Sequence, residues 1–305
     1  MRIVVTGATS FIGLAVTKEL LAMGHDVFAV VRPGSPGRKK LEAVGALRLL
    51  EGSLDKINRI AGKPELSRGA DAWLHLGWEG PGSANRQNPE IQARNIGYAM
   101  DALRTASDLG CGRFLFSGSQ AEYGIYDSVM MEDGECHPVS EYGKNKLKVC
   151  LMASEEAKRL GITYLHARIF SVYGPGDHPW SLISTCMDTF LKGGHMEMGP
   201  CTQMWNFLYV TDAALALAGL LLAKAPDGVY NVAGEDTRPL KEYIAELHRL
   251  CGGKGTYEYG KRPPNAEGVV SLMPDTGKLR RACGFRQRVS FEHGIREMLL
   301  KETDV

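Results

Sequence analysis

Few folds accommodate the opening of this chain. The apolar run Ile3-Val4-Val5 breaks into Thr6-Gly7-Ala8-Thr9-Ser10-Phe11-Ile12-Gly13, and a helically spaced stretch follows from Leu14 to Met23 before Gly24. The order is strand, glycine turn, helix. Such a turn lets backbone come close to a pyrophosphate, whose charge is held by the amides and dipole at the helix start. Two glycines alone are a weak sign, but their place between a first strand and a helix supplies the context the motif needs. Gly7, Thr9, Ser10, Phe11, Ile12 and Gly13 are therefore candidate dinucleotide contacts.

The second strand, His25 to Val31, runs into Arg32-Pro33-Gly34. An acid at this strand end would bind the ribose hydroxyls of NAD, whereas an arginine accommodates the extra phosphate of NADP. Here there is no acid, Arg32 is at hand, and Arg38, Lys39 and Lys40 follow. NADP(H) is favoured. An arginine in this place also stacks on adenine without discriminating, so NAD(H) stays open.

Strand and helix patterns then alternate: Leu47 to Leu50, Ala72 to Leu76, a helix from Pro89 to Leu109, and Arg113 to Ser117. Alternation of this kind predicts an α/β fold, a Rossmann-type doubly wound parallel sheet with helices on both faces. Ligands bind at the carboxyl ends of such strands. That rule gathers Gly7, Arg32, His75-Leu76-Gly77-Trp78 and Ser117-Gly118-Ser119 on one rim.

Next to that rim comes Ser140-Glu141-Tyr142-Gly143-Lys144-Asn145-Lys146. Ser140 is an N-cap residue before an amphipathic run that includes Leu147, Cys150, Leu151, Ala157 and Leu160, so a helix opens here. Tyr142 and Lys146, four apart, share one face of it. A neighbouring ammonium favours a phenolate and suits the phenol to proton transfer. The spacing alone proves nothing, because Tyr257 and Lys261 repeat it in a Gly- and Pro-flanked segment. Context separates the two pairs. Tyr142 as proton donor, Lys146 as its tuner and Ser119 as the hydroxyl on the reacting oxygen form the candidate machinery.

Beyond the strand at Thr163 to Phe170, the turn-rich Ser171-Val172-Tyr173-Gly174-Pro175-Gly176-Asp177 lets the chain leave the sheet. Residues 179–205 read as an excursion with one helix, Leu182 to Leu191. The chain returns at Asn206, and a helix over 213–223 and a strand from Gly228 to Val232 follow. Two helices and a Pro/Gly-rich connection come after Leu240. The expected division is a dinucleotide domain of residues 1–170 plus 206–237 and a smaller, mostly helical substrate lobe of 171–205 plus 238–305.

Bulk properties exclude several roles. The 305 residues carry a net charge of +1, so no electrostatic case exists for nucleic acid or a membrane surface. Seven scattered cysteines without a Cys-x-x-Cys pair fit reduced thiols, and eight histidines form no metal-binding spacing. No apolar run reaches the length of a signal sequence or membrane span. A cytoplasmic protein with a small-molecule ligand and no metal is expected.

Thr6 to Gly13, Ser119, Tyr142-x-x-x-Lys146, Arg168-Ile-Phe-Ser-Val-Tyr-Gly-Pro175, Asn206 to Asp212, Tyr230-Asn231-Val232 and Pro274 to Lys278 follow one another along the chain. In that order they resemble the extended short-chain dehydrogenases/reductases, in the branch of sugar-nucleotide epimerases, dehydratases and ketoreductases. The resemblance implies a bound nicotinamide dinucleotide, Ser119 and Tyr142 on the substrate oxygen, and Lys146 on the nicotinamide ribose. It also implies that Leu76, Gly77, Ser117 and, in the helix behind the site, Asn95 contact the dinucleotide, and it implies a nucleotide-sugar substrate and a homodimer formed through helices 89–109 and 140–160.

Departures refine this. Ser10 replaces a glycine of the family turn. Gln120-Ala121 stand where 4,6-dehydratases carry an Asp-Glu pair, which disfavours dehydration. Ser171 replaces a common asparagine, and Trp205 replaces an arginine that often meets the substrate diphosphate; Arg262 remains as a phosphate clamp. Trp78, Glu122, Ser171, His178, Trp205 and Arg262 are the candidate substrate contacts. The expected activity is NADP-dependent hydride transfer to a keto carbon, C4, of a nucleotide-linked deoxy-sugar. The alternatives are an NAD-dependent sugar-nucleotide 4-epimerase and, more remotely, a non-catalytic dinucleotide sensor.

Overall fold

The computed structural model describes residues 1–263 and 268–303. The first half runs β1 Arg2–Thr6, α1 Phe11–Ala22, β2 Asp26–Val31, α2 Arg38–Glu42, β3 Arg48–Glu51, β4 Ala72–His75, α3 Pro89–Asp108, β5 Arg113–Ser119 and α4 Glu141–Leu160. The second runs β6 Thr163–Ile169, β7 Ser171–Tyr173, α5 Leu182–Leu191, β8 His195–Glu197, β9 Met204–Tyr209, α6 Val210–Leu222, β10 Gly228–Val232, β11 Thr237–Pro239, α7 Leu240–Leu250, β12 Thr256–Glu258, α8 Gly277–Cys283 and α9 Phe291–Thr303. Short 3-10 turns lie at Leu54–Gly62, Pro64–Leu66 and Gln120–Glu122.

Seven strands form one sheet in the order β3-β2-β1-β4-β5-β6-β10, and every neighbouring pair is parallel. Alternate residues serve opposite faces, as strand geometry requires. Ile3, Val5, Leu74, Leu115 and Leu165 pack in one core with Val16 and Leu20 of α1 and Leu217 and Leu220 of α6. Val4, Trp73, Phe114 and Phe116 pack in another with Leu103 of α3 and Val149 and Ala153 of α4. Both faces are covered, which explains why these strands read as continuous apolar runs. The sequence order reverses between β1 and β4, and at such a switch point the strand ends part to leave a crevice.

A third core, with Tyr173, Ile183, Phe190, Phe207, Tyr243, Ile244, Leu247 and Phe291, holds the smaller lobe together. Here the structure adds to what periodicity shows. The excursion contains strands: β9 pairs with β7 in parallel and β11 antiparallel, and β8 pairs with β12. Three helices, not two, follow Leu240 among the described residues, because Gly277–Cys283 is too short for periodicity to register. Asp212 ties the lobe to α6, its Oδ2 accepting the N–H groups of Arg288 and Val289 at 3.0 and 2.8 Å.

Candidate active site

A cavity of about 920 Å³ opens along the carboxyl ends of β1, β2, β4, β5 and β6. Its walls include Gly7, Thr9, Ser10, Phe11, Ile12, Arg32, Leu76, Gly77, Trp78, Ser117, Ser119, Tyr142, Lys146, Ser171 and His178.

At the turn after β1 the backbone is packed to its limit. Gly7 has φ +75°, and a Cβ there would lie 2.6 Å from the Leu76 carbonyl carbon. Gly13 sits beneath the cavity wall, where a Cβ would lie 2.1 Å from the Gly7 oxygen. Only glycine fits either place. Ser10 explains its own presence: its Oγ donates to Gly7 O at 2.8 Å and accepts from Gly13 N at 3.1 Å, capping α1. Replacing Ser10 with Ala is expected to cost about 1 kcal/mol of stability, read by denaturant unfolding; an unchanged midpoint would remove the cap from the account.

Tyr142 and Lys146 come from the first turns of α4, which starts at Ser140, whose Oγ accepts from Gly143 N at 3.2 Å. The Tyr142 N–H donates to Arg86 O at 2.9 Å, and its ring meets Trp78 edge-on at 5.9 Å. The Arg86 guanidinium lies 4.3 Å over the same ring. Lys146 is fully buried; its Nζ donates to Ser117 O at 2.6 Å and lies 3.9 Å from the centre of the Trp78 ring. Burial pulls the ammonium down to about 7, with Arg86 adding to that pull and Glu122 opposing it. Ser119 closes β5, its Oγ accepting from Ala121 N at 3.2 Å. A hydroxyl that accepts there keeps its own hydrogen for a ligand oxygen. Trp78 is held on the wall by its Nε1–H, which donates to Gln92 Oε1 at 2.8 Å.

Four residues stand elsewhere. Glu122 does not line the cavity: the 3-10 turn at Gln120–Glu122 carries it inward, where it is fully buried. Its Oε1 accepts from Ser119 N at 2.8 Å and from His166 Nε2 at 2.9 Å, and its Oε2 accepts from Arg168 Nε at 2.9 Å. Burial opposes its charge, but His166 and Arg168 outweigh that and bring the carboxyl down to about 2. Asn95 also stands behind the wall. Its Oδ1 accepts from Glu79 N at 2.6 Å and its Nδ2 donates to Glu79 O at 3.1 Å, so it pins the turn that presents Trp78. Trp205 packs among apolar residues of the lobe, 6.2 Å from the Phe207 ring. Arg262 borders a second cavity of about 250 Å³, with Leu182, Met198, Cys201 and Leu240.

Sequence reasoning missed Arg86, which borders the main cavity beside Tyr142. It lies in the loop after β4, eleven residues beyond the strand end, where no strand-end rule points. Glu122, Cys150 and His166 bring metal-ligand atoms within 4.8 Å of one another. The carboxylate and imidazole there are already committed to each other and to Arg168.

Residues 3–233 match the NAD dependent epimerase/dehydratase family. The chain belongs to that family. Among its relatives, UDP-glucose 4-epimerase of Corynebacterium glutamicum is 28% identical over 307 residues, 93% of this chain and 90% of that one. The dTDP-6-deoxy-L-talose 4-dehydrogenase (NAD(+)) of Aggregatibacter actinomycetemcomitans is 24% identical over 258 residues, 82% of this chain and 92% of the other. The structure of MoeE5 in complex with UDP-glucuronic acid and NAD superposes with TM-score 0.84 at 26% identity, covering 100% of both chains. The UDP-glucose 4-epimerase of Thermotoga maritima with UDP-glucose superposes at 0.87 with 23% identity over 100% of both chains, a likeness of fold.

The protein is thus an NAD(P)-dependent enzyme of the epimerase/dehydratase family. Its turn fits a dinucleotide: the two glycines leave backbone and the start of α1 as the cradle for a pyrophosphate. No helix among the described residues is long and apolar enough to cross a membrane.

Proposed function

We propose that the protein is an NADP-dependent reductase that transfers hydride to a keto group, at C4, of a nucleotide-linked deoxy-sugar. The reading stands on Arg32. It borders the cavity at the end of β2, where the strand supplies no acid, and the nearby Asp55 comes instead from the turn after β3. A guanidinium fork suits a phosphate. A nicotinamide supplies hydride chemistry when bound; the protein supplies orientation and a proton. Tyr142 gives the proton to the carbonyl oxygen, Ser119 donates a hydrogen bond to that oxygen, and Lys146 stands behind the phenol on the Ser117 carbonyl. Gln120, on the cavity wall, takes the place of the acid that dehydration would need. The relative named as a dTDP-6-deoxy-L-talose 4-dehydrogenase supports C4 chemistry on a deoxy-sugar. The Arg262 guanidinium, beside the second cavity, has the fork that suits the phosphates of the nucleotide.

A second reading, an epimerase that retains NAD, is favoured by the NAD bound in MoeE5 and by the match to a UDP-glucose 4-epimerase. Mass spectrometry of dinucleotide released from freshly purified protein, with NADPH and NADH titrations, separates the two. An empty or exchangeable site that prefers NADPH, with the preference falling about tenfold in Arg32→Ala, supports the reductase. Tightly held NAD without that preference sinks it.

A further inference from the structure

Behind Ser119 lies a buried group of charges that the cavity does not touch. Glu122 is its centre, bound to Ser119 N, His166 and Arg168. His166 and Arg168 stand two apart on β6 and so point to the same face. Arg168 alone would balance the carboxylate. The second cation leaves a purely structural ion pair with more positive charge than it needs, because Glu122 lifts the His166 imidazole to about 9 against burial. Residue 118 is shaped around this contact: a Cβ on Gly118 would lie 2.3 Å from His166 Nε2 and 2.7 Å from Glu122 Oε1. A glycine between the two serines is what lets the carboxylate and imidazole meet directly under the strand end.

Two residues before Ser119 on the same strand, the Ser117 carbonyl accepts from Lys146 Nζ at 2.6 Å, and the centre of the Phe116 ring lies 4.6 Å from that Nζ while the ring stacks on His166 at 5.4 Å. Groups from several elements act on this ammonium. His75 of β4 is fully buried and kept neutral, its imidazole brought down to about 3 by burial and by Lys146. Arg86, from the loop after β4, opposes the ammonium, and Tyr142 lies one turn away on α4. Glu122 is the acid that favours its charge. Without that anion a fully buried ammonium would face mainly aromatic rings and another cation.

We propose that Glu122 is a positioning residue of the active site. Its carboxylate anchors the Ser119 amide and supplies negative charge that favours the ammonium of Lys146, while His166 and Arg168 hold it in place. This rests on Ser119 and Lys146 being the working residues, and it is tested without substrate or dinucleotide, so failure to find a keto-sugar substrate or an NADPH preference leaves it standing.

The experiment is an NMR titration of the ligand-free chain labelled with ¹³C-lysine and ¹⁵N. The Lys146 Cε signal is assigned by its loss in Lys146→Arg and followed from acid to alkaline pH. Glu122→Gln keeps the shape and an oxygen that accepts from Ser119 N, but removes the charge and turns amide hydrogens toward Arg168. Made in the His166→Gln background, where no imidazole loses its charge with the acid, it is expected to lower the Lys146 midpoint by about one pH unit and to shift the Ser119 amide proton upfield as its acceptor becomes neutral. His166→Gln removes a cation and leaves the Glu122 to Ser119 contact, so it is expected to raise the midpoint. If the double variant does not fold, the single Glu122→Gln carries the test through the Ser119 amide proton. A Lys146 midpoint or Ser119 amide shift that stays, in the folded double variant, where it is in His166→Gln, or a Ser119 amide proton that does not move in Glu122→Gln alone, overturns the proposal.

Discussion

Tyr142→Phe is expected to lower turnover by about a thousandfold while dinucleotide affinity changes by no more than a few-fold. The substitution removes one oxygen and little else. A phenyl ring keeps the edge contact with Trp78 at 5.9 Å and the face contact with Arg86 at 4.3 Å, and the backbone N–H still donates to Arg86 O. What is lost is the proton at the end of the cavity where Ser119 also stands. Turnover measured on the keto-sugar nucleotide that screening identifies, beside an NADPH fluorescence titration, checks both halves. A loss below about tenfold would place the proton donor elsewhere. Loss of turnover with binding retained would also exclude the sensor reading, because a protein that only bound dinucleotide would have no use for the phenol.

Gly13→Ala carries the second large effect, and its sign is diagnostic. In an ordinary helix, alanine in place of glycine adds about 1 kcal/mol of stability. Here a Cβ would lie 2.1 Å from the Gly7 oxygen and 2.8 Å from Ser10 Oγ. Gly7 O already accepts from Ser10 N at 3.0 Å and from Ser10 Oγ at 2.8 Å. Relief therefore requires the turn and the helix to separate, which breaks the cap and widens the cradle. The expected outcome is a loss of about 2–3 kcal/mol in denaturant unfolding and a fall in NADPH affinity of at least about tenfold. Stabilisation would mean that α1 and the turn are not packed as described.

Both effects concern parts of the molecule that were legible in the chain itself. The strand, glycine turn and helix at residues 3–23 are local events, set by apolar periodicity and by the conformational freedom of glycine. The same holds for Ser140 before Tyr142 and Lys146, where a cap residue and a spacing of four fix a helix start and a shared face. Alternation of strand and helix then implies the parallel sheet, since parallel neighbours need crossovers and crossovers need helices. The rim rule placed Arg32, Leu76, Gly77, Ser117 and Ser119 together because every parallel strand ends on the same side.

What the chain could not disclose depends on which way a side chain turns and on what distant segments fill the space. Glu122 stands three residues after Ser119 and looks like a rim residue. A single 3-10 turn sends it inward to His166 and Arg168, some forty-four and forty-six positions away. Asn95 was placed near the site, but its amide is spent on the Glu79 backbone. Arg86 enters the cavity because Gln92 holds its loop through Gly80 O and Asn85 O at 2.7 and 2.9 Å. The small sheets of the lobe escaped notice because four of their five strands have only three residues and carry no periodicity.

Sequence by itself determined the fold class, the glycine turn and the gathering of Ser119, Tyr142 and Lys146 at one cavity, because each rests on short-range spacing or on the common direction of parallel strands. Only the tertiary structure decided which charges stand behind that triad and which cavity each candidate faces. Those outcomes are set by burial and by contacts between residues far apart in the chain, where an ion is stable only if the folded surroundings supply its partner.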